Sequence, residues 1–179
     1  MAPAIVDLRE DHLPALRTFL DALPDGDVTF IKEDVRNPDT AASWVLPGAR
    51  GRWWVATEDD GAVLGLVSIS PLLGWSAHVG DLRLVVDPER RGRGVGASLA
   101  RHALRQALEA GLQKVVVEVV AEQEGATRMF TDLGFRGEAL LTDHIRDRAG
   151  ELQDLLVLAH AAGEEWSTIS TLGVEEDVA

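Results

Sequence analysis

The stretch that decides the fold is LRLVVDPERRGRGVGASLARHAL, residues Leu82 to Leu104. Its beginning completes a β-rich run, Val79 to Val86, which Asp87-Pro88 stops because proline cannot donate to a strand ladder. Its end opens a helix, predicted from about Ala97 to Ala110, with Leu99, Ala103, Leu104 and Leu108 on one face. Between them lies Arg91-Gly92-Arg93-Gly94-Val95-Gly96, three glycines alternating directly before a helix. Lacking Cβ atoms, such residues leave backbone N–H groups uncovered and free to converge on one concavity. The helix start adds orphan donors and the positive end of a dipole, so an anion belongs there. Glycines alone serve equally well as a tight strand-to-helix connection. Here, however, they coincide with the one basic segment of an acidic chain: six arginines and two acids between Arg83 and Arg105, against a net charge of −13. That coincidence favours a phosphate. A Walker loop would need Gly-Lys followed by Ser or Thr, which is absent, and the segment lacks the third glycine of a dinucleotide fingerprint and lies mid-chain. The pattern that fits is R-x-x-G-x-G following V-x-P.

Working outward, 179 residues suffice for one full-sized core, and we expect one domain over residues 1–160 followed by an acidic tail, 161–179, in which Trp166 pins a short helix. With 46% hydrophobic and 26% charged residues the chain reads as globular. The acidic excess disfavours a general grip on nucleic acid or anionic lipid. Without cysteine there is no disulfide framework, thiolate metal site or cysteine nucleophile. The longest apolar stretch, Leu155 to Ala162, is too short to span a membrane, and the acidic N-terminus is unlike a signal peptide, so a cytoplasmic location is expected.

The remaining elements follow from periodicity. A strand is predicted at Ile5 to Leu8, a helix at Asp11 to Leu23 with Asp11 as N-cap, and a short helix from Asn37-Pro38-Asp39 through Trp44. Strands at Arg52 to Thr57 and Val63 to Ser70 flank the turn Asp59-Asp60-Gly61 as a hairpin. Lys114 to Val120, nearly all valine, reads as a central strand buried on both faces. A helix from Glu124 to Leu133 ends at Gly134, and Ala139 to Ile145 with Leu152 to Leu158 form a closing hairpin. The class is α+β, a mostly antiparallel mixed sheet flanked by helices.

At these residues the sequence resembles the GNAT superfamily of acyl-CoA N-acyltransferases. Leu82 to Leu104 is similar to that family's acyl-CoA motif, and MFTDLGF, Met129 to Phe135, to its helix-end signature. Glu138 to His160 is similar to the last two strands of a bacterial subset. The resemblance implies a fold with splayed central strands and acetyl-CoA as co-substrate. Backbone amides of Arg91, Gly92, Arg93, Gly94, Val95, Gly96 and Ala97 would cradle the pyrophosphate. Main-chain groups of Leu84 and Val86 would hold the pantetheine arm where the strands ending near Val86 and Val120 part, and an N–H near Val86 would polarise the thioester. Gln123 stands where an asparagine commonly reaches the coenzyme. Phe130 replaces the tyrosine that can protonate the leaving thiolate, and this chain has no tyrosine at all.

Direct attack by an amine requires a base, since an alkyl ammonium is not a nucleophile. Asp81, on the strand entering the motif, is one candidate. Glu118, which interrupts five valines, is another, with a structural ion pair as its equal alternative. His144 is the third. For the acceptor we expect Phe30, Glu33, Asp34 and Trp75, with Lys32 and Trp44 nearby. Their acids and aromatics suit a basic amine, whether a small molecule or a protein amine. We expect no metal site, no nucleic-acid partner and no membrane partner; a homodimer is a compatible assembly. A second function class stays open: a non-catalytic acyl-CoA-binding module of the same fold.

Overall fold

The structure, a computed structural model, describes residues 3–29 and 31–162. Phe30 and the tail from 163 onward, including Trp166, lie outside the described residues. The elements are β1 (Ala4–Asp7), α1 (Leu13–Ala22), α2 (Asp25–Thr29), α3 (Pro38–Ser43), β2 (Arg52–Thr57), β3 (Val63–Pro71), β4 (Val79–Val86), α4 (Val95–Glu109), β5 (Lys114–Val120), α5 (Glu124–Asp132), β6 (Arg136–Arg146) and β7 (Leu152–Ala161). The strands form one seven-stranded sheet in the order β1-β2-β3-β4-β5-β7-β6. Every neighbouring pair is antiparallel except β4 and β5. That exception follows from chain connectivity: α4 carries the chain back across the sheet, as a parallel pair requires.

Two cores sandwich the sheet. On one face the stripe Leu99, Ala100, Ala103, Leu104 and Ala107 of α4, with Phe130 of α5, packs on Val67, Leu82, Val115 and Val117. On the other, Leu16, Phe19 and Leu20 of α1 pack with Val35 on Val55, Val63 and Leu66. Side-chain alternation then sorts β4 and β5. Leu82, Leu84 and Val86, like Val115, Val117 and Val119, face α4 and α5, whereas Val85 faces the α1 to α3 side. Asp81, Arg83 and Glu118 share the parity of that second face.

Three local expectations are corrected. Asp11 caps no helix: a 3-10 turn, Glu10–His12, precedes α1, with Arg9 at its N-cap position and the Arg9 N–H donating to His12 Nδ1 at 3.1 Å. Helix α4 starts at Val95, inside the glycine motif, because Gly94 at φ +83° turns the chain into the helix in a conformation side chains disfavour. Helix α2 was not expected, since Asp25-Gly26-Asp27 has turn composition. The short helix α3 forms where predicted, ending one residue earlier, and its start is capped by Asn37, which accepts from the Asp39 N–H at 2.9 Å. Among the described residues no helix is long and apolar enough to cross a membrane.

Candidate active site

The site begins where β4 and β5 part. Their ladder runs from Val79↔Lys114 to Leu82↔Val117 and stops, although both strands continue. β4 remains paired to β3 as far as Val86↔Gly65, and β5 to β7 as far as Val120↔Leu155, so the two diverge while held by their outer neighbours. The freed edge of β4 has a definite parity. Asp87 N–H donates to Leu64 of β3 at 2.9 Å, and Leu72 N–H donates to the Val79 carbonyl at 2.8 Å. Odd-numbered residues of β4 thus direct their main chain toward β3, and Leu84 and Val86 direct theirs into the gap. The Val86 carbonyl there accepts a 3.4 Å bond from Arg91 Nη2.

Just beyond lies the glycine bend. Among the described residues, no acceptor meets the N–H groups of Gly92, Arg93, Gly94, Val95, Gly96 or Ala97, and the first helical bond of α4 is Ser98 N–H to Gly94 O at 3.0 Å. A Cβ at Gly92 or Gly94 would meet nothing within 4 Å, so the space these glycines leave is open. Gly96 differs: a Cβ there would stand 3.3 Å from Met129 Sδ and 3.4 Å from Val86 Cγ2, so it brings α4, α5 and β4 together. The arginines are less available than their number implies. Arg90 pairs with Glu58 at 2.9 Å and Arg91 with Asp27 of α2 at 2.7 Å, leaving Arg93 without an ion pair among the described residues. An anion here would rest chiefly on backbone donors.

The opposite face of the gap is charged. Asp81, 9% exposed, holds Arg83 Nε at 3.0 Å, and Arg83 also pairs with Glu33. Burial would lower the Arg83 pKa, but Asp81 and Glu33 outweigh it and raise it. Glu118, one residue past the last β4–β5 pair, takes Lys32 Nζ at 2.7 Å. The segment carrying Lys32 and Glu33 forms one wall of a cleft of about 370 Å³, whose other wall is the β6–β7 turn with Arg146, Asp147 and Arg148. Arg148 Nη1 ties the walls together through Asp25 at 3.0 Å.

The structure therefore brings Asp81, Glu118, Glu33 and Asp34 to one face beside the gap, with the glycine bend past its open end. It does not gather all the predicted residues. His144 is exposed on the edge strand β6, in the irregular stretch between Leu141 and Ile145, and does not line the cleft. Trp75, 96% exposed, sits in the β3–β4 connection, at the end of β4 opposite the glycine bend. Phe130 is 2% exposed and packs edge to face on Phe135, so its ring belongs to the core, whereas Met129 borders the bend. Gln123 is exposed at the N-cap of α5. Trp44 stacks on Trp53 at 4.0 Å, away from this cleft. Lys32 was expected on the acceptor side, whereas Arg83, Asp27, Arg146 and Arg148 carried no sequence signal for the site. Their roles depend on long-range pairings that periodicity does not reveal. Among the described residues no group of three or more His, Cys, Asp or Glu side chains is placed to hold a metal ion.

Comparison with known proteins agrees with this fold. The Acetyltransferase (GNAT) family model matches residues 10–135, and the chain belongs to that family. It has the mixed sheet of that fold. N-acetyltransferase 8F1 of Rattus norvegicus is 33% identical over 99 residues, 52% of this chain and 44% of the rat protein. This chain thus matches less than half the length of that relative. A GCN5-related N-acetyltransferase from Kribbella flavida superposes with a TM-score of 0.73 at 25% identity, covering 89% of this chain and 98% of the other. Spermidine N-acetyltransferase from Vibrio cholerae, solved with CoA and spermine, shares the fold at a TM-score of 0.73 and 16% identity, covering 88% and 94%.

Proposed function

We propose that this protein transfers an acetyl group from acetyl-CoA to a primary amine by direct attack in a ternary complex. One observation carries the reading: the β4–β5 ladder ends at Leu82↔Val117, and past the resulting gap stands a row of N–H groups, Gly92 to Ala97, without acceptors among the described residues. Such a row fits a diphosphate, and the main chain of Leu84 and the Val86 N–H, both directed into the gap, fit an amide-bearing arm laid along β4 as a further strand would lie, with the Val86 carbonyl shared with Arg91. Acetyl-CoA supplies an activated acyl carbonyl. The Val86 N–H, directed into the gap, is placed to stabilise negative charge developing on that oxygen. As the new C–N bond forms and the C–S bond breaks, the amine proton passes to a carboxylate. Glu118 borders the gap itself, while Asp81 lies one residue below the last paired position, so Glu118 is the nearer acceptor and Asp81 a positioning residue through Arg83. With no tyrosine in the chain, the sulfur leaves as thiolate, acceptable for a group with a pKa of about 8.5.

A second reading, a module that holds acyl-CoA without turnover, draws on the cations engaging both carboxylates and on Phe130 in place of a tyrosine. Calorimetry with acetyl-CoA together with a thiol-release assay against a panel of amines separates the two. Binding with turnover supports transfer, binding without turnover supports the module, and no heat at millimolar acetyl-CoA removes both.

A further inference from the structure

The acceptor cleft does not share the chain's acidity. Its charged lining is balanced, with Lys32, Arg146 and Arg148 against Glu33, Asp34 and Asp147. More telling is which charges are already engaged. Glu33 is taken by Arg83. Asp147 is spent on the β6–β7 turn, its Oδ1 accepting the Glu151 N–H at 2.9 Å and its Oδ2 the Gln153 side-chain amide at 3.1 Å. Asp34 accepts the Arg36 N–H at 3.1 Å. Of the cations, Lys32 is held by Glu118 and Arg148 by Asp25. Among the described residues, Arg146 alone of the six has neither an oppositely charged partner nor a backbone N–H partner. Its only bond is from Nη1 to the Gly150 carbonyl at 3.1 Å, which orients the guanidinium and leaves other donors for a ligand.

We propose that the acceptor is an amine that also carries a carboxylate, an amino-acid-like zwitterion, and that Arg146 is the residue that selects it. A guanidinium fork matches a carboxylate with two parallel bonds, a geometry a polyamine cannot use. Lys32, which lines the cleft, pairs with Glu118 at 2.7 Å and so connects the cleft to the carboxylate at the gap. An ammonium arriving there meets Glu118, while its carboxylate, held outward by Arg146, keeps the molecule in one orientation. A polycation would instead bring its second charge against Arg146, a like-charge contact. This departs from the basic acceptor that the chain's acid excess predicts, because the excess lies elsewhere on the surface. The inference rests on the acetyltransferase reading for its chemistry and on the cleft alone for its binding.

The test compares L-methionine, L-glutamate and L-phenylalanine with their primary amides and with spermidine, in wild type, Arg146→Ala and Arg146→Gln. Arg146→Gln keeps a donor for the Gly150 carbonyl, so turn geometry and charge are separated. We expect wild type to favour acids over amides in kcat/KM, and both variants to reduce that ratio by about tenfold to a hundredfold, the usual range for losing a charge-assisted pair. Comparing that ratio between wild type and variants cancels the intrinsic difference in amine basicity between acids and amides. Calorimetry of the same amino acids against protein saturated with coenzyme A gives a readout free of turnover. Arg146-dependent binding without thiol release would leave the assignment standing and sink the transferase reading. Turnover of amides or spermidine at equal or better efficiency, equal loss for acids and amides in the variants, or no binding of the acids at all overturns the assignment.

Discussion

Gly94 shows how much one missing side chain does. At φ +83° it closes the bend and opens α4, and the volume its absent Cβ would occupy is empty. Gly94→Asp therefore meets no clash. It costs about 1 kcal/mol of backbone strain, reduced by the tolerance of Asp for left-handed conformations. The carboxylate would lie among the donors proposed to hold a diphosphate. We expect acetyl-CoA affinity to fall at least tenfold by calorimetry while the circular dichroism spectrum is retained; unchanged affinity would place the coenzyme elsewhere. The two carboxylates at the gap separate on similar grounds. Glu118→Gln removes the acceptor bordering the gap and should lower kcat about a hundredfold or more. Asp81→Asn loosens Arg83, and through it Glu33, so its effect should fall mainly on the acceptor KM. If the kcat loss belongs to Asp81 instead, the assignments exchange. The glycines and both acids were legible because each breaks a local pattern: alternating glycine before a helix, acid within valine. Lys32, Arg91 and Arg146 break none, and only the folded chain shows what each touches.

Among the elements, the segment from α2 to Asp34 does most to shape the site, and it is the part least visible beforehand. It is strapped across the gap by ion pairs to each surrounding element: Asp25 to Arg148 of the β6–β7 turn, Asp27 to Arg91 of the bend, Lys32 to Glu118 of β5 and Glu33 to Arg83 of β4. Strands and α4 could be drawn from the sequence because burial imposes periods of two and 3.6 on them. This segment is short, polar and held by charge, so periodicity has little to report. The Asp27–Arg91 strap also competes with any phosphate for the same guanidinium. Asp27→Asn should free Arg91 and tighten acetyl-CoA binding by about two- to tenfold at low salt, in keeping with one partly exposed ion pair. Weaker binding would mean that the strap positions Arg91 rather than sequestering it. In α4, His102 packs edge-on against Trp54 at 5.3 Å. Burial, and then Arg105 and Arg52, hold its pKa below the ordinary value, opposed by Asp7 and Glu109. A histidine with a depressed folded-state pKa takes up its proton first when unfolded. Stability should thus decline as pH falls below about 6.5 and level off beneath the folded-state value. Thermal melts from pH 7.5 to 5 should slope less steeply in His102→Gln than in wild type, and parallel slopes would exclude His102 as the source.

At the scale of the whole molecule, charge is partitioned. Thirty acids oppose seventeen Lys and Arg, yet the bend and the cleft are each close to neutral or basic, so the negative excess lies in the rest of the chain. That distribution separates two roles of charge: long-range charge governs repulsion and solubility, and recognition is decided within a few ångströms. It also sets two salt effects against each other. Screening weakens the ion pairs, but those at the surface contribute about 0–1 kcal/mol apiece. Screening also relieves repulsion among the uncompensated acids, which acts over the whole surface and has no local partner to lose. The net charge of −13 makes relief the larger effect. Raising sodium chloride from about 10 to 150 mM, which shortens the screening length from about 30 to 8 Å, should therefore raise the melting temperature by a few degrees at pH 7.5. A lower melting temperature in salt would mean that the straps around the gap outweigh the repulsion. In that case Lys32→Ala and Arg148→Ala should each remove part of the salt dependence.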